Sequence, residues 1–460
     1  MAELSLDSKE FEDTLKDDGE DLTARLQPSE ESAQKKSNLQ KYAENNSVGG
    51  LSYVLSSKSK IRRLIWLTIM LVCVAISLYL VRNTFSKIRN RPTSTTITND
   101  PNLSLEFPAV TICNVNAFSA EILESLNIGS WYIRSVFNAN NLKFSYTPPI
   151  FSVYPVLAQL TNNSIETFIS RCFFGDKACD IDKDFEFSLN ELFACYTFNS
   201  GRSGKPIKKV SGTGANDGLT LTVNLNQDDY SATIKKDAGI KIVIHPQDEP
   251  PHPGRFGVAA SPGTNMHISF KKQVYDDRTS RSCSPKDQHK WMHLSEEVSY
   301  SYASCLKDSL VDISMNECDC VLSTDYLSSN KQYSLCTLRR LSCQVKIFFV
   351  NPPEPCQTAC KHSTFEIISA THTTFPANYA KDRVSASNDS LVVNIYYETL
   401  NVQTQTTVYS YGIEEFFAEV GGQLGLFIGV SVITLFEFVI FLIDELKDWI
   451  KKRLPKIDRS

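Results

Sequence analysis

Between Val420 and Ile443 the chain carries a single charge, Glu437, and two helical turns before that acid stands Gly429-Val430-Ser431. A carboxylate inside hydrocarbon is unfavourable by about 3 kcal/mol on insertion scales, so Glu437 needs water, a partner or an ion. Gly429-Val430-Ser431 is only three residues and says nothing as a motif in isolation; its setting inside an apolar helix, two turns before a lone acid, is what makes it specific. Gly421, Gly425 and Gly429 recur every fourth residue and put a row of small side chains on one helix face, where another helix can approach closely. A plain anchor helix with a packing seam and a snorkelling acid uses the same residues, and for a single-pass protein it is the better reading. A second apolar segment, Leu64–Val81, changes those odds.

Other constellations point away from catalysis. The sequence has no phosphate loop, no dinucleotide fingerprint, no G-x-S-x-G elbow and no H-E-x-x-H pair. Its seven histidines are scattered. Cys318-x-Cys320 with Cys336 and Cys343 could hold zinc, but disulfides are the better reading in an oxidising compartment. Of thirteen cysteines, Cys73 lies in the first apolar segment and the other twelve fall between the two segments, an even set fit for six bridges. No enzyme activity, cofactor or metal is expected, and a net charge of −5 gives no argument for nucleic acid.

These residues must be positioned by two membrane helices and a folded loop. At about 1.5 Å per residue, Val420–Ile443 as one continuous helix covers the roughly 30 Å of a bilayer core. Leu64–Val81 is long enough if its flanks help, with Trp66 and Tyr79 near its ends as interfacial anchors. Lys58, Lys60, Arg62 and Arg63 precede the first segment, and Lys447, Lys451, Lys452, Arg453 and Lys456 follow the second, which favours both termini in the cytoplasm. Arg82, Lys87, Arg89 and Arg91 pull the other way, and the cysteines decide against them. The expected organisation is a cytoplasmic tail over 1–63, a first span over 64–82, an extracellular domain over 83–416, a second span over 417–443 and a cytoplasmic tail over 444–460. The acid-rich leader has no apolar periodicity and reads as disordered. N-x-Ser sequons at Asn102, Asn162 and Asn388 agree with an outside loop.

Within the loop, alternation marks strands at Leu219–Leu225, Ile240–His245 and Leu391–Leu400. Cys356 and Cys360, with Thr364 and Ile368 continuing the row at every fourth residue, predict a helix tied down on one face. The domain is mixed α and β.

Taken together, the chain resembles the degenerin, epithelial sodium channel and acid-sensing ion channel family. Phe107-Pro108-Ala109-Val110-Thr111-Ile112-Cys113-Asn114 is similar to its signature after the first span. Cys195-Tyr196-Thr197-Phe198-Asn199, Gly218-Leu219 through Asp229-Tyr230, and Ala238-Gly239-Ile240-Lys241 to Pro250-Pro251 resemble its finger, ball and palm segments in order. Tyr300-Ser301 to Cys320, Pro355-Cys356 to Pro376, and Gly421 through Ser431 complete the match, which covers roughly residues 47–446.

The resemblance implies two transmembrane helices flanking a disulfide-rich, hand-like extracellular domain of palm, ball, finger and thumb. It also implies a homo- or heterotrimer with family subunits in the plasma membrane, among membrane lipids. Gly429, Val430 and Ser431 match the selectivity filter, Glu437 a pore-lining acid, and Ala418, Gly421 and Gly425 the pore mouth. Gly49-Gly50 stands where the family carries a His-Gly gating pair, so that histidine is missing. No histidine lies between Arg91 and Phe107, where acid-sensing members carry a cluster.

The implied bridges are Cys113–Cys195, Cys172–Cys179, Cys318–Cys343 and Cys320–Cys336, with Cys283–Cys356 and Cys305–Cys360 chosen for the remaining four. Ser309 sits where a thumb cysteine is expected, and Ser280 replaces a tryptophan. The expected function is a sodium-permeable, amiloride-sensitive-type cation channel, with calcium as a further permeant ion. An extracellular ligand opens it, and a neuropeptide is favoured by likeness to the neuropeptide-gated invertebrate members. Alternatives within the family are proton gating or constitutive opening; a two-span receptor or lipid-binding protein without a pore is the rival outside it.

Overall fold

A computed structural model of the chain describes residues 50, 53–54, 57, 59–116, 119–125, 165–191, 193–230, 237–281, 283–284, 291–337, 340, 343–344, 347, 356–376 and 389–453. Asn162, Asn388 and Gly49 lie outside these residues. The chain separates into two compact units: Thr93–Ser410, and the segments before and after it.

The first unit is built on an eight-stranded sheet. Its spine is Thr264–Asp277, long enough to serve two neighbours on one edge: Asn265–Phe270 pairs in parallel with Ser390–Tyr397, and Gln273–Asp277 in parallel with Asn401–Tyr409. On its other edge runs Lys361–Thr374, antiparallel. That strand contradicts the expected helix after Cys356. Its β-branched residues, Thr364, Ile367, Ile368, Thr371, Thr373 and Thr374, suit a pleated surface, and a fourteen-residue partner is there to take up its hydrogen bonds. Leu219–Asn224 and Ile240–His245 are strands as expected, and the third alternating run is Ser390–Tyr397.

A second sheet of five strands joins Val258–Ala260, Ile240–His245, Ala109–Asn114, Phe193–Phe198 and Phe185–Asn190. The core between the sheets is centred on Phe107, which has no solvent exposure. Its ring meets Phe174 at 5.1 Å, Phe270 at 5.8 Å, Tyr397 at 6.2 Å and Phe198 at 6.3 Å, all near edge-on, the arrangement that aromatic quadrupoles favour. The Phe107 carbonyl accepts from Asn199 Nδ2 and Gln247 Nε2, so its burial strands no backbone acceptor.

All six bridges lie in this unit. The structure joins Cys113–Cys195, Cys172–Cys179, Cys318–Cys343 and Cys320–Cys336, with Cys73 the free cysteine. The remaining four pair as Cys283–Cys360 and Cys305–Cys356, which corrects the expected Cys283–Cys356 and Cys305–Cys360. Strand register is the reason. Cys283–Ser284 runs parallel to Thr358–Ala359, and the Cys360 N–H donates to the Ser284 carbonyl, which leaves Cys283 and Cys360 with Cα atoms 4.8 Å apart. Cys356, two residues before that ladder, meets Cys305 on the helix Tyr302–Cys318, whose start is fixed by a reciprocal cap between Ser301 and Ser304.

The other unit is helical. Lys60–Asn90 is a single 31-residue helix, extending past both ends of the expected 64–82 span. After Ser410, where one helix was expected across the apolar stretch, two occur: Ile413–Ile428 and Val432–Arg453, bent by 73° at the break. Among the described residues, Lys60–Asn90 is the one helix long and apolar enough to cross a membrane by itself; the bent pair makes a second only if taken as one broken span.

Candidate functional site

The break falls on Gly429-Val430-Ser431, and each residue has a local reason to be there. Gly429 sits at φ 74°, in the left-handed region that glycine enters without steric cost. The Gly429 N–H donates to the Gly425 carbonyl and the Val430 N–H reaches back to the Leu424 carbonyl, which satisfies two of the orphan acceptors of the helix end. Ser431 then starts the next helix. Its Oγ accepts from the Thr434 N–H at 3.3 Å while Thr434 Oγ1 accepts from the Ser431 N–H at 3.2 Å. A G-x-S triplet is thus a stop, a link and a start. The N–H groups of all three residues are thereby taken up, and the Ser431 carbonyl accepts from the Leu435 N–H at 3.2 Å.

Around the break the predicted residues divide. Gly421 and Gly425 lie inside Ile413–Ile428, whereas Gly429 leaves their row to end the helix. Ala418 is exposed on the same helix, and Glu437 is half-buried on the next. Leu426, Val432 and Ile433 are 80, 70 and 68 % exposed. At the other end of the chain, Gly50 has φ 89° and packs toward Met70, while Tyr53 stacks on Trp66 at 4.7 Å, so the pre-helix segment folds back on the first helix.

Sequence reasoning missed a polar cluster one residue beyond Ala418. Glu419 takes a 2.6 Å ion pair from Lys87 and a 2.6 Å hydrogen bond from the Tyr411 hydroxyl, with Gln423 Nε2 at 3.4 Å. Gln423 also donates to Thr84 Oγ1, and Phe85 meets Phe416 edge-on at 5.0 Å. This ties the end of the first helix to the start of the second. The signal was present: Lys87 belongs to the basic run that pulled against the inside rule, and pairing with Glu419 explains why a lysine stands there.

Two histidines of the sheet domain are buried. Buried His245 sits between the Pro246 carbonyl, which must receive a proton from Nδ1, and the Thr111 hydroxyl at 2.8 Å from Nε2. Burial pushes its pKa down to about 4, so it stays neutral through mild acidification. His252, 1 % exposed, has Nδ1 at 2.7 Å from Glu191 and Nε2 at 2.8 Å from the Ala303 carbonyl, so both ring nitrogens are engaged. Burial acts to raise the Glu191 pKa, but His252 and the Gly254 N–H outweigh it and hold the carboxyl below the usual range. Burial pushes the nearby Lys307 down. Among the described residues no group of three or more His, Cys, Asp or Glu could hold a metal ion.

Comparison with known proteins gives this arrangement its context. A family described as the amiloride-sensitive sodium channel matches residues 42–441, and the chain belongs to that family. Acid-sensing ion channel 4-B of Danio rerio is 25 % identical over 91 % of this chain and 78 % of its own length. The bile acid-sensitive ion channel of Homo sapiens is 27 % identical over 87 % of this chain and 85 % of its own. A cryo-EM structure of a proton-activated chloride channel covers 82 % of this chain and 97 % of that one, but at 7 % identity and a TM-score of 0.34 it carries no argument. The relatives are ion channels, not enzymes, and the family is one of cation channels.

Proposed function

We propose that this protein is a plasma-membrane, sodium-permeable channel of the amiloride-sensitive type, assembled as a trimer from two-span subunits with both termini inside, and opened by an extracellular ligand, a neuropeptide being favoured. The observation that carries the reading is the helix break at Gly429-Val430-Ser431, two turns above Glu437 in a stretch with no other charge. Three copies around one axis would bring three sets of carbonyls and three carboxylates onto the ion path, with Ala418, Gly421 and Gly425 at its mouth and Gly49-Gly50 in the segment before the first span. The half-buried Glu437 is then tolerated because it faces water and cations. The exposed apolar side chains of both helical segments suit lipid and neighbouring subunits.

A second reading, proton gating, is favoured by the names of the relatives, several of them acid-sensing channels. Patch-clamp recording decides between them. A large inward current on stepping from neutral to mildly acidic pH with no other ligand selects proton gating; current evoked only by peptide selects the first. In either case Glu437→Ala is expected to lower conductance and change cation preference at normal surface level, and Ser431→Cys to become sensitive to thiol-binding metal ions from outside. Unchanged currents in both variants would return this segment to the role of an anchor.

A further inference from the structure

Lys307 stands half-buried on the Tyr302–Cys318 helix and lines a cavity of about 60 Å3 whose apolar walls include Leu189, Leu310, Val321, Leu322 and Ile347. We propose that this amine is a covalent binding site for a small aldehyde of one or two carbons, held as a Schiff base.

Volume sets the size. An apolar cavity of about 150 Å3 holds the carbons of benzene, so this one has room for about two or three heavy atoms. Elimination sets the reacting group. Of the polar wall groups, the Ser314 hydroxyl and the Gln344 amide donate to the Cys320 carbonyl, the Ser323 hydroxyl donates to Asp325, and both ring nitrogens of His252 are engaged. Glu191 is held by His252 and by the Gly254 N–H. Among the described residues none takes a hydrogen bond or a close ion pair from the Lys307 amine, and Asp325 and Glu191 act on it only at a distance. Burial outweighs both acids and pushes its pKa down, which raises the share of the neutral, nucleophilic amine.

The Lys307 Nζ lone pair attacks the carbonyl carbon, an N–C bond forms, and the C=O π pair moves to the oxygen, which collects a proton from the nitrogen through water. The C–O bond of this carbinolamine then breaks, hydroxide leaves as water with the second proton of the nitrogen, and the nitrogen lone pair completes C=N. Amine and aldehyde give imine and water, with no oxidant or reductant. Charge favours this adduct over others. A protonated imine restores the cation that Glu191 and Asp325 face, whereas an acyl group on the same nitrogen would leave the two acids beside a neutral amide. The apolar walls limit the water that would reverse the step.

The test exposes the purified full-length protein in lipid nanodiscs, at neutral pH, to acetaldehyde with cyanoborohydride, which reduces an imine to a stable ethylamine, and maps the modified peptides by mass. It needs no current, so failure of the channel reading and failure of this one are separable. Lys307 should be ethylated about tenfold faster than the exposed Lys177 and Lys361 in the same digest. Benzaldehyde, too large for the space, should show no such preference. Ethylation of Lys307 no faster than that of the two surface lysines would overturn the proposal. So would an equal preference with benzaldehyde, since the reactivity would then belong to a free amine without the cavity.

Discussion

The sheet domain and the helical unit are specified by different surroundings. In the first, Phe107, Ile112, Leu219, Leu221, Ile268 and Ile395 have no exposure, and six disulfides lock the register, so each residue answers to neighbours in its own chain. In the second, Leu426, Val432 and Phe436 lie 65 to 80 % exposed, and the described ties between the helices include the cluster of Lys87, Tyr411, Glu419 and Gln423 with the Phe85–Phe416 pair. On the proposed reading, what is apolar there is matched to lipid and to other copies of the chain. The same substitution should therefore act on folding in one region and on function in the other.

Phe107→Ala is the sharpest way to break that contrast. Loss of a fully buried ring typically costs about 3–5 kcal/mol, so the variant should melt well below the parent and reach the surface poorly, measured by thermal unfolding and surface biotinylation. Near-normal stability would mean the two sheets do not depend on a common core.

Next comes acid. The folded-state pKa of His245 is about 4 against an ordinary value near 6.5, so the unfolded chain binds the extra proton first. The stabilisation from keeping this ring neutral is full above pH 6.5 and is lost as pH falls toward 4, about 3 kcal/mol across the window. Melting temperature should drop over that range, and a neutral His245→Gln should flatten the drop. An equally steep drop in the variant would move the acid sensitivity to other groups.

In the helical unit effects are smaller on stability and larger on current. Gly429→Ala forces a Cβ into the left-handed region at a cost of about 1 kcal/mol, which favours straightening of the bend. Permeation should change while the melting of the sheet domain does not. The weakest effect concerns Lys87 and Glu419: an ion pair with the lysine half exposed contributes about 0–1 kcal/mol, so Lys87→Glu should alter opening kinetics with little loss of protein. The double swap with Glu419→Lys should restore them. Failure of the swap would show that Tyr411 and Gln423, and not the charge pair, hold the helix ends together.

Much of this was readable in the chain. Alternation identified Leu219–Asn224 because one face is buried and the other is not, a difference written in residue type; Ile240–His245 was marked by the same signal although its later residues Val243 and His245 are buried on the opposite face as well. Twelve cysteines between two apolar segments announced six bridges, and the isolated acid after G-x-S marked the candidate filter. Local spacing could not reveal which long strand would be available to pair with Lys361–Thr374, so a fourfold row of Cys356, Cys360, Thr364 and Ile368 looked helical until Thr264–Asp277 supplied its hydrogen bonds. The partners of Cys283 and Cys305 followed from that ladder, because a bridge forms only where Cβ atoms are brought within reach. The Glu419 cluster likewise joins residues more than three hundred positions apart, a contact that no window along the chain contains. Residue type and period settled what each segment must bury; only the tertiary structure decided against what, because hydrogen-bond register and side-chain reach belong to pairs of segments and not to either one alone.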